Sequence, residues 1–237
     1  MIRLSPARKN ALVQSLLEWY RENGRDFPWR KSFTTPDPYA VLFTEIMLQR
    51  TKADQVAPIY EEFLKRYPSF DKLFAAPSQD VIALFSRLGL KWRAKSVIKL
   101  IKALKKMNGI VPDDLHTLRQ LPGVGDYVAA AVLCYAFGEN TAPVDANVVR
   151  VISRLFGMRI TSDAGRRNQT LRETVESLVP EEKPRDFNLA MLDFAAMVCK
   201  PKPLCVQCPL GEDCIYYAES KQILRARSWQ VPTRKTG

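Results

Sequence analysis

Apolar residues recur along this chain at three- and four-residue intervals, and proline or glycine interrupts the pattern where it lapses. The periodicity predicts helices over 6–23, 39–51, 53–67, 69–75, 78–84, 93–108, 115–120, 127–137, 147–156, 165–178 and 185–198. No segment alternates β-branched and polar residues as a strand would, and no unit of 20 to 50 residues repeats. The expected class is therefore all-α. The longest apolar runs, such as Ala129 to Phe137, fall far short of the ~20 residues a bilayer span needs, and the N-terminus lacks a secretory apolar core. A membrane span and signal-peptide export are excluded, which makes the chain intracellular by expectation, in cytoplasm or nucleoid if the host is prokaryotic.

With 237 residues, 46% hydrophobic and 26% charged, the chain has the composition of one or two globular units and not of a disordered segment. Its 36 Lys and Arg against 25 Asp and Glu leave +11, with a pI near 9.5, which points to a polyanionic partner. The placement narrows this. Lys91 to Met107 holds seven basic residues and no acid, and Lys95, Lys99, Lys102 and Lys106 are spaced to line one helix face while Val97, Ile98, Ile101 and Leu104 line another. A solvated surface explains that stripe as well as a nucleic acid does. From Lys221 to Gly237 the chain is again acid-free, as in a loose basic tail.

Three segments carry chemistry. Leu121-Pro122-Gly123-Val124-Gly125 joins two predicted helices, and its two glycines allow a tight turn in front of free helix N–H groups and the positive end of a helix dipole. An ordinary helix-to-helix turn has the same composition. Cys199, Cys205, Cys208 and Cys214 follow the last long helix with spacing C-x5-C-x2-C-x5-C, close enough to surround one centre. The spacing suits zinc or an iron–sulfur cluster alike, whereas disulfides would need an oxidising compartment. Cys134 stands apart in an apolar helix as a small buried residue. Asp145, in Pro143-Val144-Asp145-Ala146-Asn147, stands where a helix N-cap belongs.

In this order the three segments resemble the endonuclease III superfamily of helix-hairpin-helix DNA glycosylases, from Trp19 to Tyr216. Pro28-Trp29-Arg30, Thr44-Glu45-Ile46-Met47-Leu48-Gln49 and Val144-Asp145-Ala146-Asn147 with Arg150 carry the likeness further. It implies two helical domains flanking a DNA-binding cleft: 32–142 with the hairpin, and 1–31 plus 143–220 with a 4Fe-4S cluster loop, leaving 221–237 as the tail. It implies a 4Fe-4S cluster on Cys199, Cys205, Cys208 and Cys214. It also implies a catalytic carboxylate at Asp145, a base-facing Glu45, DNA contacts from Gln49, Arg50 and Leu90 at two insertion loops, and phosphate contacts from Gly123, Val124 and Gly125.

Lyase members of the superfamily are similar in carrying lysine at the position of Tyr127, where its amine forms a Schiff base with the sugar; tyrosine has no such amine. The likeness is therefore to the thymine mismatch glycosylases, implying monofunctional release of thymine or uracil opposite guanine. The alternative is adenine release opposite 8-oxoguanine or guanine; behind it stand a glycosylase with lyase activity and a catalytically silent DNA-binding module. The expected partner is double-stranded DNA with a mismatched or damaged base, met by a monomer. Two features depart from the family pattern: Asp126 replaces a frequent basic residue beside the hairpin, and the first cysteine gap is five residues where six is usual.

Overall fold

The structure, a computed structural model, describes residues 5–31, 37–89 and 91–228. Leu90 lies outside the described residues. Among them every regular element is helical. Two compact units divide the chain, Met1–Gly24 with Val144–Gly237, and Arg25–Pro143.

The Arg25–Pro143 unit starts with a 3-10 turn, Pro28–Arg30, that the apolar periodicity is too short to reveal. It continues through α2 (Pro38–Leu48), α3 (Ala53–Arg66), α4 (Phe70–Ala75), α5 (Ser78–Ser86), α6 (Lys91–Lys106), α7 (Leu115–Gln120) and α8 (Asp126–Val132), α1 being Pro6–Asn23 in the other unit. A π-helical turn, Leu133–Phe137, extends α8 to the left-handed Gly138. Residues 39–47 of α2 are all buried, so this helix is the unit's central rod and not an amphipathic surface helix. Around it Tyr39, Phe43, Phe63 and Phe70 form an aromatic cluster with ring centroids 4.7 to 6.5 Å apart. The break between units falls after Gly24, seven residues earlier than the family likeness implies. The reason is local: Trp29 is buried, stacks on Phe27 at 4.8 Å and meets Tyr60 of α3 edge-on at 5.8 Å. The lysines at 95, 99, 102 and 106 do line the exposed face of α6.

The second unit packs α1 against α12 (Pro184–Met197) and α12 against α9 (Ala146–Leu155), with α10 (Ser162–Gly165) and α11 (Gln169–Leu178) beside α9. The helix expected over 165–178 begins only at Gln169, because Asn168 leaves helical geometry and caps α11, its Oδ1 accepting from the Leu171 amide. A 3-10 turn at Cys205–Gln207 precedes α13 (Ile215–Ser228). This last helix corrects the expected loose tail over 221–228: the stretch has no Gly or Pro, and its Lys, Gln, Leu, Arg and Ala are all good helix formers. The remainder of the tail, 229–237, lies outside the described residues.

Candidate active site

In the Arg25–Pro143 unit, α2, which bears Glu45, packs against α8, whose first turn bears Tyr127. Glu45 is 3% exposed and Tyr127 half-buried. After them in sequence, and within electrostatic reach of both, is a group that sequence reasoning missed, Tyr135. Its phenol is completely buried, and its pKa is driven well above the usual tyrosine range, first by burial and then by Tyr127, Cys134 and Glu45, while the Arg30 guanidinium pulls it down. All of these residues take part in polar or ring interactions. The unit therefore gathers a carboxylate, a second phenol and a guanidinium around the buried Tyr135 phenol, a set able to donate to and accept from a planar polar ring. The signal for Tyr135 is a residue with a polar tip inside an otherwise apolar run. Its π-turn is a local feature that often accompanies functional sites.

The hairpin is a true turn. Gly123 adopts φ +85°, and the Val124 amide donates to Leu121 O at 3.1 Å. That bond commits the Val124 N–H internally. Gly125 is the N-cap of α8 without a side-chain cap, and a Cβ built on it would meet nothing within 4 Å, so the space before α8 is open. Asp126 does not stand there as a bare charge, because Arg119 of α7 pairs with it, Nε to Oδ1 at 2.8 Å. Ahead of the hairpin, Gln49 Nε2 donates to Gly123 O at 2.8 Å and exposed Arg50 sits in the left-handed region at φ 55°.

Asp145 belongs to the other unit and does act as N-cap of α9: Oδ1 accepts from the amides of Asn147 and Val148, each at 2.8 Å. Its Oδ2 is engaged separately, accepting from Asn147 Nδ2 at 2.6 Å. Asn147 Oδ1 in turn accepts from Arg150, whose remaining donors reach Cys199 O at 2.9 Å and Ala195 O at 3.0 Å. The carboxylate, half-buried, is thus held in a fixed direction through a chain that starts at the backbone of the cysteine segment.

The four cysteines border one cavity with Arg154. Among the described residues no three metal-binding side chains already stand in a ligand arrangement. Burial pushes Cys208 up to about 11, with its three companions adding to the rise, and the same causes raise Cys205 and Cys214. Four thiolates at this spot need more positive charge than Arg154 supplies, and a metal centre is what reverses that balance. Arg154 Nη1 lies 3.5 Å from Cys199 Sγ and also donates to Lys200 O at 2.6 Å, folding the segment around the cavity. The donor set fits an all-thiolate centre.

A family model for HhH-GPD superfamily base excision DNA repair proteins matches residues 43–177, more than half of the chain. The chain belongs to this superfamily. It is similar to the thymine/uracil-DNA glycosylase of Methanothermobacter thermautotrophicus, 39% identical over 213 residues, covering 89% of this chain and 95% of that protein. The solved structure of a thermostable thymine-DNA glycosylase superposes with a TM-score of 0.82 at 38% identity, over 90% of this chain and 98% of the other. An endonuclease III–DNA complex shares the fold, with a TM-score of 0.74 at 22% identity over 93% and 100%. The adenine DNA glycosylase of Buchnera aphidicola is 36% identical over 88% of this chain, which spans 59% of that longer relative.

As an HhH-GPD DNA glycosylase, this protein has the all-α, endonuclease III-like fold expected of it. Among the described residues no helix is long and apolar enough to cross a membrane. Glu45 and Tyr127 lie in one unit, the loop of Gln49 and Arg50 touches the hairpin in that same unit, and Asp145 and the cysteines share the other.

Proposed function

We propose that this glycosylase hydrolyses the N-glycosidic bond of a flipped thymine or uracil opposite guanine and leaves an intact strand with an abasic site. The observation that carries this is the likeness to the thymine/uracil-DNA glycosylase across nearly the whole of both chains. A paired base hides its glycosidic bond, so the nucleotide is extruded, and a mispair costs less to open than a matched one. The amides of Gly123 and Gly125 and the first turn of α8 hold a phosphate without reading sequence. Val124 serves through the turn its amide closes. Gln49 and Arg50 meet the widowed guanine. Leu90, outside the described residues, is the expected wedge.

Heterolysis of the bond from C1′ to the base nitrogen sends the electron pair to the base and leaves an oxocarbenium sugar. Asp145, aimed by Asn147 and Arg150, stabilises that cation and takes a proton from the water that attacks C1′. Glu45 hydrogen-bonds the base edge or supplies a proton to the departing base, with Tyr127 against the ring and Tyr135 behind. Cys199, Cys205, Cys208 and Cys214 would hold a 4Fe-4S cluster whose contribution is to order a segment with too little apolar core to order itself.

The test uses labelled duplexes carrying G:T, G:U and A:8-oxoguanine, each with and without alkali. Cleavage at G:T and G:U only after alkali is the expected result. Adenine release alone would transfer the assignment to adenine glycosylase, alkali-independent cleavage would mean a lyase, and no release on any duplex would favour a silent DNA-binding module.

A further inference from the structure

Arg93, in the first turn of α6, is the largest fully buried side chain among the described residues. Its guanidinium has three acceptors and all are neutral: Nη1 donates to Met47 O at 2.6 Å, and Nη2 donates to Gln49 O at 2.6 Å and Thr51 Oγ1 at 2.8 Å. No carboxylate among the described residues pairs with it. Burying a cation without a counter-charge is unfavourable, and a cation near a helix N-terminus adds to the cost. The place it reaches explains why it is there. Met47 and Gln49 end α2, where the last four carbonyls of a helix have no intrahelical partner. Helices commonly close with a left-handed glycine, yet here the left-handed residue is Arg50 at φ 55°, a conformation disfavoured for a side chain with a Cβ. The guanidinium supplies from another helix what a glycine cap would supply locally: donors for the terminal carbonyls and positive charge at the negative end of the dipole.

We propose that Arg93 is a positioning residue for the opposite-strand contact, fixing the turn of Gln49, Arg50 and Thr51 so that Gln49 and Arg50 meet the base opposite the extruded nucleotide. This rests on the assignment of Gln49 and Arg50 made under the proposed function. One planar fork binding three acceptors on consecutive parts of the turn defines both its position and its orientation, which an ammonium on a flexible stem does not. Gln49 is then held between two anchors, its carbonyl on Arg93 and its side chain on Gly123 O of the hairpin.

The experiment is single-turnover release of uracil opposite guanine and opposite adenine by the full-length parent, Arg93→Lys and Thr51→Val. The parent should prefer the guanine duplex. Arg93→Lys should lose about 30-fold opposite guanine and less than about 3-fold opposite adenine, since displacing a contact by about 1 Å costs up to about 100-fold. Thr51→Val removes one acceptor and should reduce the same preference by about 3-fold or more. It decides the matter if Arg93→Lys does not fold. Equal losses on both duplexes would make Arg93 merely structural and overturn the inference, as would an unchanged preference or a parent indifferent to the opposite base. A parent that releases no base at all refutes the glycosylase assignment itself, and this inference with it.

Discussion

Replacing Asp145 by Asn separates its two duties. The new side chain keeps an oxygen where Oδ1 accepts from the amides of Asn147 and Val148 at 2.8 Å, so the cap of α9 survives. At the other oxygen, 2.6 Å from Asn147 Nδ2, it presents a second amide nitrogen to a donor. Asn147 can turn its amide, but its nitrogen then faces the Arg150 donor now 3.0 Å from Oδ1. One link of the chain is lost whichever way Asn147 points. That costs about 1 kcal/mol, and removing a negative charge from a helix N-terminus costs about 0.3–1 kcal/mol more. A total of about 1–2 kcal/mol lowers Tm by roughly 2–8 °C in a chain of this size. Asp145→Ala, which also deletes the cap, should cost a further ~1 kcal/mol. Both proteins stay folded at 25 °C. Base release should nevertheless fall about 100- to 1000-fold in each, because the charge facing the oxocarbenium is gone. Single-turnover excision with excess enzyme, alongside thermal melts and duplex binding, reads all three quantities. A rate for Asp145→Asn within about 3-fold of the parent would refute the catalytic role and leave Asp145 a helix cap.

Three further outcomes are expected. Tyr127→Lys should form a covalent DNA adduct trapped by borohydride that the parent does not form, since the amine supplies the missing Schiff-base nucleophile; a folded, DNA-binding variant that never traps would move Tyr127 away from the sugar. Cys208→Ser should lose bound iron and brown colour, checked by metal analysis and visible absorbance, and one zinc with no iron in the parent would count against the cluster. Gly123→Ala forces a Cβ into φ +85°, 3.4 Å from Ser96 Oγ, and should cost about 1 kcal/mol of stability while lowering the salt slope of duplex binding by about one phosphate. An unchanged slope would show that the hairpin holds no phosphate.

What the sequence by itself determined is whatever depends on neighbours along the chain. Helical periodicity gave the class, because burying one face of a helix fixes the spacing of apolar residues. Gly123 and Gly125 announced the turn, Asp145 the start of α9, and four clustered cysteines a common cavity, since each of these is a matter of a few consecutive residues. The lysine face of α6 was legible for the same reason. Short elements escaped: the 3-10 turn at Pro28–Arg30 offers less than one period of pattern, and α13 opens among cysteine-loop residues that mask its propensity.

Only the tertiary structure decided the groups whose meaning lies in distant partners. Tyr135 reads as one more apolar-helix residue until packing sets it near Glu45, Tyr127 and Arg30. Arg119 gains its role from Asp126 across the hairpin. Arg93 looks like another cation in a basic helix, indistinguishable by composition from Lys95 or Lys99. It differs because α6 turns its side chain inward onto carbonyls more than 40 residues earlier in the chain. A lysine at 95 remains in water, where its charge is already solvated; the guanidinium at 93 has given up that water, and only the three acceptors around it explain why.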